Sequence, residues 1–331
     1  MSDPVFVAAP ARLHFGVLDL RGDLGRRFGG MGAAVPEPAL LLEARRASRL
    51  AAEGPDAERA LAFARRFAAH HRLDLDVHFC LHRVIPPHAG LGSGTQLALA
   101  VARALAELYE LPTDVVALAQ AVDRGRRSAV GTWTFASGGF VLEGGRPSAG
   151  DQVAPLLVRL AMPAAWRCVV VVPHGTPGLA GDEEAAAFAR LSPPPARQVE
   201  RVAHLVLLQL LPALVEADLT AFGAALTEVQ HITGDWFAGV QGGVFAPGAT
   251  GELIAELRAW GAAGVGQSSW GPAVYGIVGD DATARTIVEH ARAALGPRGA
   301  VYAGPFSAGG ARVGREPGTF QPEETGGFPT D

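Results

Sequence analysis

The sequence predicts a globular protein of two lobes that mixes strands with helices, and three observations carry that prediction. The chain has 331 residues, which at roughly 150 residues per domain suggests two units with ample material for a core. From Leu73 to Ile85, the apolar Leu73, Leu75, Val77, Phe79 and Leu81 alternate with Asp74, Asp76, His78, Cys80 and His82, the period-two pattern of a half-buried strand. Shortly after it, Leu97, Val101, Ala104, Leu105 and Leu108 recur at helical spacing. Hydrophobic residues make up 49% and charged residues 18%, with 42 Gly and 24 Pro. That balance is rich in turns without reaching the low-complexity regime.

The elements follow in order. Val5 to Ala9 reads as a strand ending at Pro10, followed by Arg12-Leu13-His14-Phe15-Gly16 and a loop rich in Gly and Arg. Pro86-Pro87 stops the alternating strand, and Gly90-Leu91-Gly92-Ser93-Gly94-Thr95-Gln96 opens the helix that ends before Pro112. Thr113 and Asp114 cap a second helix through Val122, whose C-terminal cations are Arg124, Arg126 and Arg127. Gly131 to Gly145 reads as a hairpin turning at Ser137-Gly138-Gly139. The second half opens with a strand from Trp166 to Val172 and a loop from Pro173 to Gly181. A helix with the acidic start Asp182-Glu183-Glu184 comes next, then helices through Val215 and from Leu219 to Thr233. Gly251 to Trp260 reads as the final helix, ahead of a glycine loop at 264–272 and a strand from Ala273 to Val278. The lobes are therefore set at residues 1–155 and 156–306, and the tail 307–331, rich in Gly, Pro and Glu, is expected to be disordered.

Composition excludes several chemistries. All 28 basic residues are arginine, and neither Lys nor Asn occurs. A pyridoxal Schiff base, an amine nucleophile and a P-loop lysine all need the missing ε-amine. A net charge of -5 gives no electrostatic footprint for nucleic acid or an anionic membrane, so an anion site must be local. The N-terminus lacks a signal-peptide pattern, and Leu205 to Val215, broken by Gln209 and Pro212, is too short to span a bilayer. Cys80 and Cys168 sit in strand-like runs without metal-ligand spacing and read as buried free thiols of a reducing cytoplasm; no His/Cys cluster suggests zinc.

Two loops carry candidate chemistry. The 90–96 loop lets backbone approach a ligand and presents the first-turn N–H groups of a helix to an anion, with Ser93 and Thr95 adding hydroxyls. The 264–272 loop offers Gln267, Ser268 and Ser269 as neutral donors and Trp270 as a stacking face. Arg12, Arg26 and Arg27 could grip phosphate or carboxylate with two prongs.

Taken in order, residues 10–20, residues 86–94 and the late Gly-Gln-Ser-Ser-Trp-Gly-Pro loop resemble the three motifs of the GHMP kinase superfamily, over about residues 5–306. The resemblance implies an α+β two-lobe fold, the N-terminal lobe like domain 2 of ribosomal protein S5 and the C-terminal lobe ferredoxin-like, with the phosphate loop between them. Two kinase features are missing. Gly94 stands where kinases have a second serine, and Val130-Gly131-Thr132 where many carry Gly-Ile-Asp.

One branch, the β-ribofuranosylaminobenzene 5′-phosphate synthases, is similar in more detail. Its hallmarks resemble residues 12–20, Arg27-Phe28-Gly29-Gly30, Gly131-Thr132 with Gly138-Gly139-Phe140, residues 178–184 and residues 266–275. The resemblance implies a decarboxylating phosphoribosyltransferase of methanopterin-type cofactor synthesis. It would join 5-phosphoribosyl 1-diphosphate to 4-aminobenzoate or 4-hydroxybenzoate. A small-molecule kinase of the same fold and a phosphate-binding sensor are the alternatives. Expected roles are Arg12, His14 and Thr132 as catalytic residues; Arg27, Gly90, Gly92, Ser93, Gly94, Thr95, Gln267, Ser268 and Ser269 as binders of substrate and diphosphate; and Asp19 as a metal contact. Mg2+ is implied by the diphosphate, whereas ATP, pyridoxal phosphate and zinc are not expected. Partners are small molecules, neither nucleic acid nor membrane, and family analogy favours a homodimer.

Overall fold

The computed structural model describes residues 3–148, 150, 152–175, 177–179 and 181–316. Its frame is a long hairpin, β1 (Val5–Asp19) and β2 (Arg26–Arg46), joined antiparallel along most of its length. β1 does not end at Pro10: a bulge between Pro10 and Ala11 absorbs the missing donor, and the strand runs on through the Arg12-His14 segment. The arginine-rich stretch expected as loop is largely the second strand. β3 (Ala51–Glu53), helix α1 (Ala57–His71) and β4 (Val77–Arg83) follow, β4 pairing with both β2 and β3.

Helix α2 (Ser93–Leu108) lies buried along almost its whole length. α3 (Val115–Ala121) begins at Asp114, whose carboxylate accepts from the Ala117 N–H, so the predicted cap forms. The expected hairpin at 131–145 is instead α4 (Val130–Ser137) followed by β5 (Phe140–Glu143), and the Ser137-Gly138-Gly139 signal marks the end of a helix. Gly138, at φ 58°, supplies the positive φ of that helix end.

β6 (Arg146–Pro147) and β7 (Leu156–Leu160) complete the first sheet together with β12 (Arg312–Gly314), which pairs with β1. Two expectations change here. The lobe boundary at 155 falls one strand early, because β7 joins β5. The chain from 307 to 316 is ordered, with Ser307 and Ala311 bonded to Ala34 and Phe135; residues 317–331 of the expected tail lie outside the described residues.

The second lobe is β8 (Arg167–Pro173), α5 (Gly181–Arg190), α6 (Ala196–Leu205), a π-helical turn at 206–210, α7 (Leu211–Glu216), α8 (Leu219–Gln241), α9 (Thr250–Ala259), β9 (Gly264–Gln267), β10 (Val274–Val278), α10 (Asp281–Leu295) and β11 (Gly299–Pro305). Its antiparallel sheet has the order β11-β8-β10-β9, the arrangement of a ferredoxin-like βαββαβ unit. The sequence reading missed α10, although Asp280 caps it and Ala284, Ile287, Val288 and Ala291 bury at helical spacing. Both faces of this sheet are covered: Val169 and Val171 pack with Leu257 and Ile287, while Val170 and Tyr275 join the main core with Phe15 and Phe222. That explains the uninterrupted Cys-Val-Val-Val-Val of β8. The α6–α7 segment, 196–216, is one helix long and apolar enough to cross a membrane by length and composition, more than the sequence reading allowed. Here it packs Val202, Leu205, Leu210 and Leu214 into the core.

Candidate active site

A cleft of about 540 Å3 opens where β1, the start of α2, the end of α3, the start of α5, α8 and the loop after β9 converge. Its floor is tied by one buried hydroxyl. Ser268 Oγ donates to the Gly90 carbonyl (2.8 Å) and accepts from the His14 N–H (3.0 Å), joining both glycine loops to the first strand. Gly90 is obligatory, because a Cβ there would lie 2.2 Å from the Ser268 carbonyl oxygen. Gly178 donates to the His88 carbonyl (2.7 Å), so the loop ahead of α5 seals the same junction.

Arg12 reaches the cleft from β1. Its Nη1 donates to the Gly90 carbonyl, while Nε is buried without a partner and the side chain lines the cleft. Burial lowers its pKa to about 10, against the pull of Glu184, so the guanidinium stays charged. His14 lines the cleft as a neutral ring. Burial, then the charge of Arg12, push its pKa down to about 3. The Gly16 N–H donates to Nδ1 (3.3 Å), so the proton sits on Nε2, 3.1 Å from Ser128 Oγ. The ring is therefore neutral at neutral pH, with its Nε2 turned to Ser128 and Nδ1 turned back to the strand.

The other expected residues divide by position. Thr132 is wholly buried in α4, outside the cleft lining. Asp19 Oδ1 accepts from the backbone N–H groups of Arg21 and Gly22, closing a turn outside the cleft lining. Arg26 donates to the Gly144 and Gly145 carbonyls, and Arg27 lies over Phe28; neither lines the cleft, although Phe28 and Gly29 do. Ser93 is buried at the helix start and also outside the lining, whereas Thr95, Gln267 and Ser269 line it. Gln267 spends its amide internally, accepting from Ala246 N and donating to the Ser269 carbonyl.

Beyond Trp270, which the sequence offers as a stacking face, and Arg124, which it offers as a helix-end cation, the two ends of the cleft are built from residues to which the sequence assigned no binding role. At one end α2 begins at Gly92 (φ 79°) without a side-chain cap, leaving its first turn free to meet an anion. Three arginines from α1 and the end of α3 gather there. A Cβ on Gly94 would stand 3.1 Å from Arg59 Nη2 and 3.7 Å from Arg124 Nη2, so the glycine that replaces a kinase serine makes room for guanidinium groups. Burial, followed by the charges of Arg66 and Arg59, lowers Arg124 to about 10, and its Nε is buried without a partner. At the other end Phe28, Phe188, Phe237 and Trp270 meet edge to face, with ring centroids 4.9–5.8 Å apart. Glu184 fixes this wall, accepting from Arg127 (2.7 Å) and Trp270 Nε1 (3.1 Å).

The cleft also bears on Mg2+. Of its acids, Glu184 is held by Arg127 and Trp270 and Asp123 is paired with Arg126, while Asp182 stands exposed at the rim. That donor set is no all-protein cage, but it fits a hydrated Mg2+ carried chiefly by a diphosphate.

This is the architecture of a GHMP kinase fold with an arginine-rich, carboxylate-poor cleft. Residues 58–139 match the GHMP kinases N terminal domain and residues 210–296 the GHMP kinases C terminal domain. Homoserine kinase from Cytophaga hutchinsonii superposes with a TM-score of 0.70 at 18% identity, covering 95% of this chain and 98% of that one. A mevalonate kinase of L. major does so at 0.65 and 17%, covering 91% and 96%. Sequence relatives are closer. The β-ribofuranosylphenol 5′-phosphate synthase of Methanothermobacter thermautotrophicus is 33% identical over 294 residues, covering 82% of this chain and 88% of the relative. That of Archaeoglobus fulgidus is 34% identical over 286 residues, covering 82% and 87%. The chain belongs to this synthase family of the GHMP kinase superfamily.

Proposed function

We propose that the protein condenses 5-phosphoribosyl 1-diphosphate with a 4-substituted benzoate, releasing CO2 and diphosphate. The observation that carries this reading is the polarity of one cleft: a cationic end at the start of α2 and an aromatic end at Trp270, with the charged Arg12 guanidinium in its lining. A polyphosphorylated sugar suits the first end and a benzoate ring the second. In the reaction the C1–O bond to diphosphate breaks and a bond forms from the sugar C1 to the ring carbon bearing the carboxylate. The carboxylate leaves as CO2, and its electron pair restores aromaticity. Arg66 and Arg124 bind the leaving anion, Arg12 bridges the departing charge, and Phe188 and Trp270 orient the ring. Mg2+, held by the diphosphate and reached by Asp182, would supply charge neutralisation of the leaving group. No lysine, thiol or redox cofactor is needed. The relatives' name, a ribosylated phenol, favours 4-hydroxybenzoate as acceptor, with 4-aminobenzoate as the competing substrate.

The kinase alternative has less support, because position 132 holds a buried threonine where a carboxylate would act. A reducing cytoplasm and small-molecule partners remain part of the proposal. The test supplies carboxyl-labelled 4-hydroxybenzoate or 4-aminobenzoate with phosphoribosyl diphosphate and Mg2+. Labelled CO2 in step with diphosphate is expected; ADP from ATP and a sugar or homoserine, without CO2, would overturn the reading.

A further inference from the structure

On the outer face of the first sheet, away from the cleft, strand pairing assembles a group of metal-binding side chains that sequence spacing does not announce. In β4 the residues Val77, Phe79 and Leu81 are buried, so His78, Cys80 and His82 share the opposite face. Cys80 pairs with Glu43 of β2 on one side and with Glu53 of β3 on the other. One thiol is thereby flanked along its strand by two imidazoles and across the sheet by two carboxylates. Glu43, Cys80 and His82 each bring a donor atom within 4.8 Å of the others, a grouping that the spacing of these residues in the sequence does not show.

We propose that Cys80 and the Nδ1 of His82 bind a zinc-class divalent ion, with Glu43 orienting the His82 ring from its other nitrogen and Glu53, across the sheet from Cys80, as a further donor. The geometry is close to that of a bound ion. Metal–sulfur and metal–nitrogen bonds of about 2.3 and 2.0–2.1 Å at a tetrahedral angle hold sulfur and nitrogen about 3.6 Å apart. Cys80 Sγ and His82 Nδ1 stand 3.8 Å apart. His82 Nε2 lies 2.9 Å from Glu43 Oε2, the carboxylate–imidazole contact that orients a ligating ring, and the ring also stacks on Phe6 at 6.3 Å. Glu53 stands directly opposite Cys80 in the β3–β4 register, so its carboxylate belongs to the same face of the sheet. His78 Nε2 lies 3.9 Å from Glu53. The His82 side chain is 39% exposed, so an ion can enter from solvent.

The donor set selects the metal. Thiolate with imidazole prefers zinc and its neighbours, whereas Mg2+ takes oxygen ligands and avoids sulfur, so this site does not compete with the cleft for magnesium. On binding, the thiol proton passes to the buffer and the thiolate takes the metal. Arg45, the cation that also acts on Cys80, offsets one of the two carboxylate charges.

The experiment titrates metal-free protein with Zn2+ by calorimetry in two buffers of different protonation enthalpy, and with Co2+ by absorbance. One equivalent of Zn2+, proton release and a thiolate-to-cobalt charge-transfer band are expected. Cys80→Ser should abolish the band, and Glu43→Gln should weaken zinc binding by about tenfold or more. His174→Ala, outside the cluster, should change neither, and circular dichroism checks that each variant is folded. Absence of a zinc equivalent in the wild type, or an unchanged band in folded Cys80→Ser, would overturn the proposal.

Discussion

Glu143→Gln tests the electrostatics beneath the cleft. Glu143 ends β5 with no solvent exposure, accepting from the Gly145 N–H (2.6 Å) and the Ala129 N–H (3.3 Å). Burial raises its pKa from 4.5 to about 7, against the opposing pull of those hydrogen bonds and of Arg26. A carboxyl whose folded pKa lies above its unfolded one stabilises the fold fully below the unfolded value. It loses that contribution as pH rises through the folded value. The window is therefore pH 4.5 to 7. At 1.36 kcal/mol per pH unit the full effect is about 3 kcal/mol, an upper figure for a group that can relax. Glutamine keeps a carbonyl acceptor and cannot ionise. His14, pushed from 6.5 to about 3 by burial and Arg12, drives stability the opposite way, rising with pH between those values. Since both proteins share His14, the difference between them isolates Glu143. Urea unfolding at half-unit steps from pH 4.5 to 8 should show the variant gaining on the wild type by about 3 kcal/mol across the window. A difference that stays flat with pH would refute the argument.

Three further substitutions probe the cationic end. Gly92→Val places a Cβ 2.8 Å from Arg12 Cγ at a φ of 79°, so we expect loss of measurable turnover in a folded protein destabilised by about 1–3 kcal/mol; wild-type kinetics would remove this loop from the mechanism. Arg124→Ala should raise the KM for phosphoribosyl diphosphate and lower kcat by about 10²-fold, with little change for the benzoate, measured by varying each substrate in turn. Ser93→Ala, at a buried helix start outside the lining, should alter kinetics less than threefold.

Much of the frame was readable because local chemistry and tertiary demand agree. Asp114 caps a helix wherever a helix follows, and the 90–96 loop announces itself by glycines that must admit the Ser268 carbonyl and the Arg12 side chain. The misreading at 131–145 has a physical cause. α4 is buried on nearly every side, so it shows no amphipathic period, and Thr132, Thr134 and Phe135 have strand-like propensity that packing overrides. The cleft was half legible: Arg12, Thr95, Gln267 and Ser269 belong to recognisable loops, but Arg66 of α1 and Arg124 just beyond α3 come from separate elements with nothing in sequence to join them. Arg124 carried only the weaker signal of a cation at a helix end. The Glu43-Cys80-His82 group was invisible for the same reason, because its partners meet through strand register.

The all-arginine composition meets the cleft at Arg12, and Arg12→Lys shows what it achieves. Burial lowers Arg12 from 12.5 to about 10, which leaves it fully charged at neutral pH. The same burial applied to a lysine, which starts about two units lower at roughly 10.4, would bring the ammonium to about pH 8. The variant then loses two things: the planar fork that can hold the Gly90 carbonyl while facing a ligand, and a charge that survives desolvation. Each has its own signature. Loss of the fork lowers kcat/KM for at least one substrate by about 10²-fold at every pH, with the melting temperature unchanged. Loss of charge adds a fall in the remaining activity as pH rises through about 8, a limb the wild type lacks there. A lysine variant with wild-type kcat/KM for both substrates and the wild-type pH profile would make Arg12 a packing residue and remove the central cation from the proposed mechanism.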